Sequence, residues 1–82
     1  MLEEKLKYSM LIEWSDEDQA YLVTLPEWTH VNAGGPHTHG DTYIQAVKMG
    51  QECLELLVES ARKDGEAIPE PAIFTDKGED NA

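Results

Sequence analysis

The sequence predicts an α+β domain in which a three-stranded antiparallel sheet is followed by one long helix. Three observations carry this. Apolar side chains alternate with polar ones from Leu6 to Trp14 and again from Tyr21 to Leu25, the period of a half-buried strand. From Tyr43 to Lys63 they recur at three- and four-residue steps, the period of an amphipathic helix. Clusters of turn-forming residues separate these stretches.

In the first strand Leu6, Tyr8, Met10, Ile12 and Trp14 alternate with Lys7, Ser9 and Glu13, Leu11 being the exception. The polar run Ser15 to Gln19 then turns the chain, and Tyr21, Val23 and Leu25 share one face of the returning strand, so the two runs form a hairpin. Pro26 has no N–H for a ladder, which stops the second strand near Leu25. A loop carrying Trp28 leads to a short third strand around His37 to His39.

The helix turns Ala46, Val47, Gly50, Cys53, Leu54, Leu57, Val58 and Ala61 inward over about six turns, with Gln45, Lys48, Gln51, Glu52, Glu55, Glu59 and Arg62 mostly elsewhere. Ile44, Met49 and Leu56 fall outside the stripe and form a second, weaker apolar flank for an oligomer or partner to cover. Thr42 and Gln45 make a capping-box pattern, and Gly65 supplies the stop behind Arg62 and Lys63, whose charges suit the negative end of the helix dipole. Two prolines in "GEAIPEP" prevent further helix, while Ala72–Phe74 can add a short fourth strand at an edge. The expected organisation is one domain over residues 1–75 and a disordered acidic tail over 76–82.

With 82 residues the domain buries only about 60% of the surface its unfolded chain exposes, which makes self-association an expectation. The sequence has no long apolar run and no secretory leader at its charged start, so a cytoplasmic location is expected. A lone cysteine, Cys53, excludes an internal disulfide and a thiolate metal cluster. The net charge of −11 argues against direct nucleic-acid binding, which draws its affinity from Lys and Arg at phosphates. It suits a basic protein partner, or serves solubility alone.

Chemistry is sparse. In "GGPHTHGDT" the side chains of His37, His39 and Asp41 would stand roughly 6 to 7 Å apart on one face of an extended strand, close enough to converge on zinc. Gly40 and the helix start at Thr42 argue instead for a turn in which Asp41 and Thr42 cap the helix. Cys53 lies on the apolar helix face, where a thiol is inert. Ser9 and Ser60 have no neighbouring histidine in sequence, "NAGGP" lacks the spacing and lysine of a phosphate loop, and Asp16 with Asp18 reads as a solvated turn. The expectation is a non-enzyme with no cofactor and no metal. Trp14 and Trp28 both lie near strand ends, where each either anchors a partner or packs on the helix.

Taken in order, "AYLVTLPEW", "THGDT" leading into "YIQAV", the single long helix and "DGEAIPEP" resemble the HicB-like antitoxin domain over roughly Tyr8 to Pro71. The resemblance implies a β-β-β-α-β domain like a reduced RNase H fold without its acidic catalytic set, assembled as dimers or tetramers. It also implies a partner: a small basic HicA-like toxin, an RNA-cutting protein with a double-stranded-RNA-binding fold and a catalytic histidine. The alternative is an orphan homo-oligomeric domain in another regulatory or structural role. Two features depart from the family pattern. The loop from Trp28 to His37 is longer than its usual tight connection, and after Pro71 only eleven residues follow, too few for the DNA-binding module that relatives often carry. Independent DNA binding is therefore not expected. Hairpin position and chemistry nominate Glu13, Trp14, Asp16, Glu17, Asp18 and Trp28 as partner contacts.

Overall fold

The computed structural model describes residues 6–75; the acidic tail at 76–82 lies outside them. Strands β1 (Leu11–Ser15), β2 (Ala20–Thr24) and β3 (Thr38–Gly40) form one antiparallel sheet in the order β1-β2-β3, and helix α1 (Tyr43–Asp64) follows. The chain is thus the expected α+β domain, three strands and then one long helix.

The first strand is shorter than its apolar alternation. Leu11 pairs with Thr24 and Ile12 with Val23, so continuing that register would set Ser9 opposite Pro26, which has no N–H to give. The ladder stops at Leu11, and Leu6, Tyr8 and Met10 keep their inward alternation without strand pairing, packing on the core beside Ile12. The core itself is Val23, Leu25, Trp28, Ala46, Leu54, Val58 and Ala61. Residues directly opposite in an antiparallel pair share a face. Ile12 and Val23 therefore look toward the helix with Trp14, Tyr21 and Gly40, while Glu13, Leu22 and His39 form a row on the other face.

Two glycines let the helix approach the sheet. A Cβ on Gly40 would lie 2.5 Å from the backbone nitrogen of Ala46 and 2.7 Å from its Cα, so strand end and first helical turn touch backbone to backbone. Gly40 is needed for this contact and not for a left-handed turn, since the positive φ angles among the glycines fall at Gly34 and Gly65. At Gly50 a Cβ would meet Met10 Sδ at 2.8 Å and Val23 Cγ1 at 3.2 Å.

Both helix ends are built as the sequence indicates. Thr42 Oγ1 accepts from the Gln45 N–H at 3.0 Å, and Gln45 Oε1 reaches back to the Asp41 N–H at 2.6 Å, one residue earlier than a standard capping box. Gly65, at φ 72°, closes the other end, with its own N–H on the Arg62 carbonyl and that of Glu66 on the Ala61 carbonyl. Along the helix Val47 departs from expectation: it is 39% exposed, because it sits a third of a turn around from the Ala46–Gly50–Leu54 line that meets the narrow sheet. Cys53 is half-buried, and desolvation pushes its thiol pKa up, as an unreactive core-side cysteine requires.

The Glu27 carboxylate joins three distant segments. It accepts from the Ser9 N–H at 3.1 Å, the Ser9 hydroxyl at 3.1 Å and the Ala72 N–H at 2.8 Å. The Tyr8 hydroxyl adds a bond to the Pro69 carbonyl at 2.6 Å. These contacts tie Pro69 and Ala72 to the body of the domain, and residues 66–75 form no regular secondary structure; Ala72–Phe74 pairs with no strand among the described residues, and the Ala72 N–H is given to Glu27 instead of a ladder. Burial raises the Glu27 pKa, but the hydrogen bonds from Ala72 and Ser9 outweigh it and hold the carboxyl below its ordinary value of 4.5.

Two predictions follow from these contacts. Gly40→Ala should destabilise the fold by about 1–3 kcal/mol, as overpacking against unyielding backbone does, read as a lower urea midpoint at unchanged slope. Because the Glu27 pKa is depressed on folding, its contribution is fully present above about pH 4.5 and is lost as pH falls through the folded-state value. Glu27→Gln should accordingly be less stable than the wild type at pH 7, with the gap narrowing on acidification below pH 4.5 in urea titrations.

Candidate functional site

The histidine motif is a structural fastening. Nδ1 of His37 accepts from the Leu25 N–H at 3.1 Å, and its Nε2 lies 2.9 Å from the Trp28 carbonyl oxygen. An amide can only donate and a carbonyl only accept, so the ring is the tautomer protonated on Nε2 and both nitrogens are spent on backbone. His39 is exposed, in register with Leu22 on the sheet face away from the helix. Among the described residues no group of three or more His, Cys, Asp or Glu side chains is arranged to hold a metal ion. The convergence of His37, His39 and Asp41 that an ideal strand would give does not form. Ser9 gives its hydroxyl to Glu27.

His37 also explains where Trp28 goes. Pro26–Trp28 forms a 3-10 turn, and its carbonyl end is tied to His37 while the Trp28 N–H donates to the Leu25 carbonyl at 2.9 Å. The turn swings Trp28 under the helix, where it is 1% exposed, with the Tyr8 ring edge-on at 5.5 Å and His30 stacked at 5.7 Å. Trp28 therefore leaves the set of candidate contacts: it is a core residue. Its indole N–H has no partner among the described residues, a cost of about 1–3 kcal/mol that is smaller than the roughly 3–5 kcal/mol a buried tryptophan ring contributes.

Trp14 has the opposite fate. It is 48% exposed at the hairpin end, and its Nε1 donates to Asp16 Oδ1 at 3.2 Å. Its ring meets Tyr21 edge to face at 5.0 Å, and Tyr21 lies 4.3 Å from Tyr43, tilted by 31°. Three aromatic rings thus run in a row from the hairpin onto the first turn of α1. There Tyr43 is 62% and Ile44 82% exposed, and with Val47, Lys48 and Gln51 they line an open groove of about 540 Å³.

The nominated acidic residues divide around this row. Asp16, Glu17 and Asp18 occupy the exposed β1–β2 turn, held by Ser15 Oγ accepting from the Asp18 N–H at 3.1 Å and by Gln19 Nε2 donating to the Asp16 carbonyl at 2.7 Å. Glu13 stands one residue from Trp14 and so faces the other side of the sheet, beside Leu22. That side also holds a more polar hollow of about 430 Å³ lined by Asp18, Ala20, Leu22, Pro36, His37, Thr38 and His39. Sequence reasoning singled out Ile44 but missed Tyr43 and assigned Val47 to the core; an aromatic at the first helical position was the available signal. No helix among the described residues is long and apolar enough to cross a membrane.

His37→Ala should lower stability by about 1–3 kcal/mol by leaving the Leu25 N–H unsatisfied. Denaturation of the wild-type protein should be the same with and without a chelator, since the histidine acts through backbone hydrogen bonds.

No protein-family model, no curated protein and no solved structure matches this chain.

Proposed function

We propose that the chain is an antitoxin-like binding module that neutralises a small basic HicA-like mRNA-cleaving toxin by direct protein contact. The observation that carries this is the row Trp14–Tyr21–Tyr43, exposed at both of its ends, beside the acidic turn Asp16–Asp18 on a domain of net charge −11. Solvent-exposed aromatics supply contact area at low entropic cost, and an acidic rim speeds and orients the approach of a basic protein. The sequence's resemblance to HicB-like antitoxins, with its β-β-β-α order, names the kind of partner. Activity is by occlusion: an acidic surface laid over a basic RNA-binding face competes with the phosphates that face is built to hold. The module is not an enzyme, and it needs no cofactor and no nucleic-acid contact of its own. It acts in the cytoplasm, where such a toxin meets mRNA, as a dimer or tetramer.

A second reading is an orphan homo-oligomeric domain. Leu11, 48% exposed on the edge strand β1, favours it by offering an apolar spot on the sheet for another copy.

RNA cleavage by the product of any small basic reading frame adjacent to this chain's gene, titrated with the protein, separates the two. Stoichiometric inhibition is expected, weakened about tenfold or more by Trp14→Ala as for a central interface aromatic. Trp28→Ala should act differently, by destabilising the domain. Undiminished cleavage in the presence of folded protein would reject the antitoxin reading and leave the oligomeric one.

A further inference from the structure

We infer that the toxin-facing surface is the hairpin-to-helix end of the molecule, where a partner segment seats an apolar side chain in the groove of Tyr43, Ile44 and Val47 and a flanking Arg or Lys beside Trp14 and Asp16. This rests on the binding-module reading above and adds to it the place, the orientation and the chemistry of the bound segment.

Continuity is the first argument. Ring contacts at 5.0 and 4.3 Å join Trp14 to Tyr21 and Tyr21 to Tyr43, and Tyr43 forms the wall of the groove with Ile44 and Val47. Four large exposed side chains, Trp14, Tyr43, Ile44 and Val47, are joined here through the half-buried ring of Tyr21. The remaining exposed large apolar residues lie apart from it: Leu11 on β1, Val31 in the loop before β3, Leu56 on α1, and Ile73 and Phe74 in the segment after the helix. Scattered apolar residues are ordinary on a protein surface, whereas a joined patch marks contact.

Charge is the second argument, and it selects the occupant. Asp16 and Glu17 stand at the Trp14 end, with Asp16 bonded to the Trp14 indole itself, and Lys48 lines the groove at the helix end. The patch is therefore polarised along its length. A partner segment that fits it carries a cation at the Trp14 end, where the aromatic row and the carboxylates attract it together, an apolar residue in the middle, and a hydrogen-bond acceptor near Lys48. A second copy of this chain would bring another acidic turn at net charge −11 against the first, and an anionic lipid surface would be repelled by the same carboxylates. A basic protein is the occupant that the charges favour.

The test uses a HicA-like ribonuclease from an adjacent small basic reading frame, with its catalytic histidine replaced by alanine, as the probe in calorimetry and stopped-flow binding. Ile44→Glu is the diagnostic variant: Ile44 is 82% exposed, and a carboxylate in the first helical turn suits the helix dipole, so the fold is kept and only the groove changes. Expected are an affinity at least tenfold weaker for Ile44→Glu, association slowed severalfold by Glu17→Lys, and no change for Leu11→Glu on the far face. If the wild type binds while Leu11→Glu weakens binding and Ile44→Glu does not, the surface assignment is wrong and the module reading survives. If the folded wild type does not bind, both fall. A wild-type dimer in sedimentation that Ile44→Glu converts to monomer would give the patch to a second copy and overturn the inference.

Discussion

The contact between Gly40 and Ala46 sets the geometry from which the rest follows. With no room for a Cβ at Gly40, the end of β3 lies directly on the first turn of α1, which fixes where the helix starts and the line it takes over the sheet. Along that line Gly50 settles on Val23 and Met10, and Leu54, Val58 and Ala61 complete the core. The same placement has a second consequence. Only one side of the first turn can face a three-stranded sheet, so Tyr43 is left to stack on Tyr21, and Ile44 and Val47 remain in solvent.

A core this small needs help from polar contacts, and they are economical. No polar or charged side chain is fully buried among the described residues. Two half-buried ones hold the irregular segments instead: His37 bonds backbone at both ends of the Pro26–Trp28 turn, and Glu27 gathers Ser9 and Ala72. Each satisfies backbone groups that the short ladders leave without partners, so removing either leaves an amide unpaired as well as deleting a bond. The fastening also separates the two tryptophans. The turn that His37 holds carries Trp28 inward, while Trp14, at the far end of β1, rests on Tyr21 and on the Asp16 carboxylate at the surface.

How much of this was legible in the sequence depended on whether the controlling interaction was local. The hairpin, the helix and both of its caps were readable because periodicity, Thr42, Gln45 and Gly65 act within a few residues of themselves. The third strand was readable to within a residue, at Thr38–Gly40. Length of β1 was not, because it depends on Pro26 standing across the register from Ser9. Burial of Trp28 was not, because it depends on a histidine nine residues away. The spacing of His37, His39 and Asp41 suggested a shared ligand set, but both ring nitrogens of His37 are spent on the backbone of Leu25 and Trp28, and no such set forms among the described residues. Of the candidate contacts, the acidic turn and Trp14 are exposed together; Tyr43 and Val47 emerged only once the helix was set on the sheet.

The binding account starts from this layout: a helix pinned at its start leaves an aromatic and apolar end next to an acidic turn, and the partner we propose for it is a basic ribonuclease. Its central claim is most directly tested by amide chemical-shift mapping of the isotopically labelled protein during titration with the inactivated HicA-like ribonuclease. The account predicts that shifts concentrate at residues 14–18, Tyr21 and 43–48, with the sheet face of Leu11, Leu22 and His39 unperturbed. Shifts confined to that sheet face, or none at saturating ribonuclease, would contradict it.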